Sequence, residues 1–429
     1  MRNTTMNAQS NFLADSLPRL VAALVLGAAV VGATSLVPVV AADKKEENKV
    51  SKDLAKPLKA AQDALQAKKY PDALAKLKEA ESNPKKTPYD EHVINVLAGS
   101  AYARTNDYQS AEKAFEAQAN DGFTEQAELP RIIKATAQIN YQLKNYDKAI
   151  EFGNRAIKGG YGDEEVNVIV GQSYYLKGDY KGTLKFFEPI VESDIKAGRT
   201  PKDQSLQLIM SSCVKTDDSG CTTKALEKLV TYYPKPDYWK DLLYTLQQDR
   251  TQTQSDKNTL QLYRLMSEVD VLARADDYTE MAQLAMEQGS PGEAQHILEK
   301  GFQKGVFADQ RTKDKNQRLL DQAKKAAAAD EASLPKIEKD ADAAPTGDKD
   351  VGVGLAYLGY LQYDKASDLL TKGLTKGGVK SEAEARLLLG IAQLKAGHKD
   401  DAVKSFHAVK GDPTLERLAN LWSLHARQA

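Results

Sequence analysis

Histidines, cysteines and glycine-rich turns are where this chain could carry chemistry, and their spacing argues against it. The five histidines, His92, His296, His398, His407 and His425, are spread over separate stretches. No two fall in the HExxH or other compact pattern that would hold a catalytic zinc. No Gly-x-Ser-x-Gly turn presents a nucleophilic serine. Gly373…Gly378-Val379-Lys380-Ser381 imitates a phosphate-binding loop, but it carries one residue too many and follows a helical pattern instead of a strand. Asp348-Lys349-Asp350-Val351-Gly352 opens like a calcium loop, yet the glutamate that should close it at the twelfth position is missing. Both read as turns. The expectation is a protein that is not an enzyme and uses no metal or cofactor.

Cys213 and Cys221 are the only cysteines. Two cysteines without clustered histidines do not make a zinc site, but an even count invites a disulfide in an oxidising compartment. If two helices run through to a tight turn between them, the Cα atoms fall ~10 Å apart, beyond the ~7 Å that a bridge spans. If Thr216-Asp217-Asp218-Ser219-Gly220 is a real loop, the first helix ends early and the gap closes. A disulfide and a pair of small buried thiols both stand as readings.

Tyrosine is the abundant aromatic, 19 against 9 Phe and 2 Trp, and it recurs in a phrase. A turn residue, an acidic residue and a Tyr are followed by a small residue three positions on. Copies are Asn106-Asp107-Tyr108…Ala111, Asn145-Tyr146-Asp147…Ala149 and Gly178-Asp179-Tyr180…Thr183. Weaker ones are Tyr70…Ala73, Gly289-Ser290-Pro291…Ala294, Tyr363-Asp364…Ala366 and Gly397-His398-Lys399…Ala402. Each phrase joins two segments of helical periodicity. In residues 92–118, Val96, Gly99, Tyr102 and Ala103 precede the turn, and Ala111, Phe115 and Gln118 follow it. Small residues at Gly99 and Ala111 let two helices approach, and the aromatics fill the space between hairpins. One hairpin cannot bury its apolar face alone, so the units must stack. Tyr102, Tyr108, Tyr146, Tyr174, Tyr180, Tyr357 and Tyr363 are thus packing residues, whereas Tyr141 and Tyr175, each offset by one, are expected on the inner surface.

The pattern resembles the tetratricopeptide repeat, most closely at Gly171, Tyr174, Gly178, Tyr180, Thr183 and Phe187, and again at Gly390, Gly397, Ala402 and Phe406. The first-helix Trp of that family is absent, and Thr183 replaces the Ala anchor. The resemblance implies an all-α, αα-hairpin solenoid, a right-handed superhelix whose first helices line a concave groove for a protein or peptide. Carried over position by position, that groove would be Ser100, Arg104, Arg131, Lys134, Gln138, Tyr141, Gln142, Gln172 and Tyr175. Such side chains suit a peptide backbone and an acidic partner group. The carboxylate-clamp subtype needs Lys and Asn where this chain has Val96 and Ser100, which disfavours binding of a chaperone C-terminus.

The lapses of the repeat divide the chain. Residues 53–236 read as a tetratricopeptide array of about five hairpins, punctuated by Pro84, Pro130, Pro201 and Pro234. Residues 237–305 read as a divergent hairpin plus one repeat. Residues 306–349, rich in Ala, Lys and Asp, read as an exposed helical spacer broken at Pro335. Residues 350–429 carry a last pair of repeats and a capping helix opened by Pro413.

The N-terminus differs. Arg2 and Arg19 precede an uncharged run from Leu20 to Ala42, and residues 43–52 form a charged linker. Positive, apolar, then the small triplet Val40-Ala41-Ala42 is the order of a cleaved secretory signal in residues 1–42. The run is also long enough for an inner-membrane anchor. Pro38 and the small triplet favour export, to the periplasm in a Gram-negative bacterium. With 59 Lys and Arg against 60 Asp and Glu, no sequence-wide field holds nucleic acid, and a membrane is a partner only if residues 20–42 stay uncleaved. The leading expectation is a periplasmic, non-enzymatic scaffold for envelope proteins. The alternatives are an outer-membrane assembly or transport accessory and a regulatory subunit of an envelope enzyme.

Overall fold

The computed structural model describes residues 48–249 and 255–428. The signal or anchor segment and the linker up to residue 47 lie outside them. The described residues form twenty helices and no strand. They divide into two units, one ending at Ala225 and the other beginning at Leu226.

The first unit is a stack of hairpins. First helices α1 (Lys52–Gln66), α3 (Pro88–Arg104), α5 (Leu129–Gln142), α7 (Glu164–Leu176) and α9 (Asp203–Lys215) alternate with second helices. These are α2 (Tyr70–Glu81), α4 (Tyr108–Asn120), α6 (Tyr146–Lys158), α8 (Tyr180–Lys196) and α10 (Ser219–Tyr232), the last running across the boundary. The hairpin turn is one device repeated. Lys68, Asn106, Lys144, Gly178 and Asp217 each stand two residues before the second helix with φ between 56° and 84°. The next N–H then reaches back five residues, as in Asp107 N–H to Tyr102 C=O at 3.0 Å and Asp179 N–H to Tyr174 C=O at 2.9 Å. This satisfies a carbonyl that a helix end would leave bare. Close approach follows: a Cβ on Gly171 would stand 2.0 Å from the Phe187 ring. Ala111, Phe115, Ile132, Ile139, Ala149, Phe152, Ile169 and Val170 form a buried core between hairpins, with Tyr102, Tyr108, Tyr146 and Tyr174 packed against it.

The second unit holds α11 (Pro236–Gln248), α12 (Asp256–Glu268), α13 (Ala275–Glu287), α14 (Pro291–Gln303), α15 (Gln310–Asp342), α16 (Asp348–Gly359), α17 (Tyr363–Lys376), α18 (Glu382–Lys395), α19 (Lys399–His407) and α20 (Pro413–Gln428). Two features depart from expectation. The segment 306–349 is no exposed spacer. Its helix α15 buries Asn316, Leu320, Ala323, Ala327, Leu334 and Ala341 along one stripe and passes through Pro335 unbroken. Pro335 is exposed, so the carbonyl its ring leaves unbonded can turn to water. The final helix does more than cap. α20 packs on α18 and α19 and returns to α12, with Trp422 stacked on Phe406 at 5.9 Å and His425 edge-on to Trp239 at 6.3 Å. Arg417 pairs with Glu227 at 2.6 Å, and Gln428 donates to the Val230 carbonyl at 3.0 Å. These bonds draw the second half of α10 into this unit, so the first compact unit ends before the expected boundary at residue 236.

Candidate functional site

In the first unit the first helices pack on one another as well as on their partners: α1 on α3, α5 on α7, α7 on α9. That layer forms one wall of the stack. Its polar side chains form rungs from one repeat to the next. Lys134 pairs with Asp163, the N-cap of α7, which also accepts from Val166 N–H at 3.0 Å. Burial works to raise the Asp163 carboxyl, but the Lys134 and Val166 bonds outweigh it and hold it below the ordinary carboxylate range. Gln138 donates to Glu165 at 3.2 Å, and Lys202 pairs with Glu164 at 3.0 Å. Tyr175 and Ser211 share a hydrogen bond at 2.7 Å, and burial raises the Tyr175 hydroxyl.

Two of the nine expected groove residues are withdrawn from solvent. Tyr141 is 9% exposed and Gln172 is 2% exposed, and the Tyr141 hydroxyl donates to Gln172 Oε1 at 2.5 Å. Burial pushes that hydroxyl up to about 12. The offset of one from the packing position turns Tyr141 into the seam between α5 and α7 instead of out of the wall, so these two residues join helices and offer a partner nothing. Of the others, Arg131 is exposed and paired with Glu128 at 2.8 Å, while Ser100, Arg104, Lys134, Gln138, Gln142 and Tyr175 are half-buried. Buried Gln142 Oε1 has no hydrogen-bond partner.

The second helices are cross-linked by charge that the repeat phrase did not reveal. Lys148 on α6 reaches Glu112 at 2.7 Å and Glu116 at 2.6 Å on α4, and Arg155 reaches Asn120 at 2.7 Å. The signal lies in the separation: opposite charges 32 and 36 residues apart, about one repeat.

Cys213 and Cys221 are joined, with Cα atoms 5.4 Å apart. The helices do run to a tight turn, α9 to Lys215 and α10 from Ser219. The two residues nonetheless face each other across it, because the hairpin turns on a single left-handed residue, Asp217.

Three of the five histidines are held by groups on neighbouring elements. His92 meets Asp121 at 2.8 Å, His296 the Gly359 carbonyl at 3.1 Å, and His425 approaches Glu268 at 3.6 Å. Among the described residues no group of three His, Cys, Asp or Glu is placed to hold a metal. Gly373 and Gly377 let the loop before α18 close on Gly347, whose N–H donates to the Gly377 carbonyl at 2.7 Å. Asp350 is fully buried beside Lys376 at 2.7 Å, an internal ion pair. The second unit also buries Arg264 in a two-pronged bond to Glu293, at 2.7 and 2.6 Å.

Comparison with known families adds one result to this geometry. The family model described as tetratricopeptide repeat matches residues 58–123, which span most of the first two hairpins. Residues 58–123 are tetratricopeptide repeats. No curated protein matches it. Among solved structures it is similar to the apo form of RapI, at 14% identity over 64% of this chain and 87% of that one, with a TM-score of 0.32. It is also similar to the P58(IPK) TPR domain, at 11% identity over 88% and 99%, with a TM-score of 0.23. The pentatricopeptide repeat protein PPR10 from maize is similar at 14% identity over 88% and 57%, with a TM-score of 0.28. Among the described residues no helix is long and apolar enough to cross a membrane.

Proposed function

We propose that this chain is a non-enzymatic tetratricopeptide repeat scaffold that works outside the cytoplasm and binds envelope proteins along the first-helix wall of its first unit. The observation that carries the reading is the wall itself. The first helices α5, α7 and α9 are held in register by side-chain rungs, with Arg131, Lys134, Gln138 and Tyr175 at least partly open among them and Ser100 partly open on α3. A rigid, preformed polar surface binds an extended or helical segment without first having to be ordered. The apolar run 20–42 and the Cys213–Cys221 bond support an oxidising, extracytoplasmic location.

Chemical crosslinking in intact cells, followed by mass spectrometry, tests the reading. The expected result is an envelope protein recovered with the native chain and lost with the R131E/Q138E variant. Recovery of the same protein at undiminished yield from that variant sinks the wall as the binding surface. A cytoplasmic chain with both thiols free to alkylation sinks the location.

A further inference from the structure

Helix α15 carries its charge the wrong way round. Residues 310–325 hold six cations and two acids, and residues 326–342 hold two cations and five acids. The helix dipole favours the opposite order, and Arg311 and Lys313 sit in the first turn, where a cation is least welcome. The acidic half is accounted for by packing. Asp330 accepts from the Tyr360 hydroxyl at 2.7 Å, Glu338 accepts from Tyr357 at 3.0 Å and pairs with Lys365 at 2.8 Å, and Asp342 pairs with Lys372.

The basic half is not accounted for this way. Among the described residues, Lys324 is the one cation within it that pairs with a carboxylate, Glu299 at 3.0 Å. Arg311, Lys315, Arg318 and Lys325 follow at steps of four, three and seven residues, which sets them along one stripe of the helix, roughly 21 Å long. All four are exposed, and no carboxylate among the described residues pairs with them. Asp314 and Asp321, the nearest carboxylates on this half, accept instead from Gln310 at 2.7 Å and Gln317 at 2.9 Å. A local rule broken without compensation inside the fold is where function is to be sought.

We infer that this stripe docks an acidic segment of a protein partner, a second surface that stands independently of the first-helix wall. Charge complementarity selects the occupant. Asp314 and Asp321 share the exposed face, so an unbroken row of phosphates on nucleic acid or a membrane would meet like charge there. The carboxylates of a peptide can be spaced to match the four cations.

Fluorescence anisotropy of a labelled peptide carrying four glutamates at the stripe's own spacing among neutral residues, titrated with the full chain at low salt, tests this. Binding weakens roughly tenfold or more in R311E/K315E/R318E/K325E and in the milder R311Q/K315Q/R318Q/K325Q. The control K52E/K56E/K69E/K78E, which reverses exposed lysines of the first unit, binds as the native chain does. Circular dichroism checks that the helices persist, and the glutamine set keeps the test usable if the reversed set unfolds. Absent binding by the native chain, undiminished binding by both stripe variants, or an equal loss in the control overturns the inference. Displacement of the peptide by duplex DNA or anionic vesicles overturns the choice of partner.

Discussion

At the residue scale, the decisive question for a polar side chain on the wall is whether it faces a partner or a neighbouring helix. Tyr141 faces a helix. Removing its hydroxyl leaves Gln172 Oε1 buried without a donor, which costs about 1–2 kcal/mol. Tyr141→Phe should therefore lower the urea midpoint while leaving capture of the partner unchanged; lost capture at full stability would make Tyr141 a contact residue. Titration behaves similarly. Asp277 is 1% exposed, and burial works to raise it, but bonds from Arg274 and the Tyr244 hydroxyl hold its carboxyl below the ordinary value. Its folded pKa is depressed, so its contribution is complete above the unfolded value, about 4, and is lost as pH falls through the folded one. The second unit should lose stability below about pH 4. Asp277→Asn should cost about 2 kcal/mol at neutral pH and flatten that acid limb. Thermal melts from neutral to acid pH decide it; an unchanged limb contradicts the assignment.

At the scale of the element, the hairpin turn was readable because its chemistry is local. Asn106, Gly178, Gly289 and Gly397 are residue types that accept a positive φ, and the structure gives each one. Asn145 misled. The left-handed residue of that turn is Lys144, φ 60°, and Asn145 starts the next helix as its N-cap. Leu361 is the sharpest exception, at φ 61° and 49% exposed. Its side chain contributes little packing, and its backbone bears strain of about 1 kcal/mol. Leu361→Gly should raise the melting temperature, and a fall would mean that the side chain packs more than its exposure suggests. Helix α15 was misjudged because half of its buried stripe is alanine, which marks a helix but not what covers it.

On the scale of the whole molecule, the stacked hairpins were legible and the closure of the second unit was not. A repeat announces itself by period, whereas α20 meets α12 through pairs such as His425–Glu268 that no period relates. The wall was legible as a surface, but its rungs were not, because Lys134–Asp163 and Tyr141–Gln172 depend on which neighbour each first helix meets. The central claim is that this wall, and not the second-helix layer, receives a partner. Photo-crosslinkers placed one at a time at Ser100, Arg131 and Gln138 on the wall, and at exposed Lys113, Glu151 and Lys185 on second helices, test it most directly in intact cells. One common protein should be captured from the three wall positions and from none of the three on second helices. Capture from the second-helix positions alone, or equally from both sets, would contradict it.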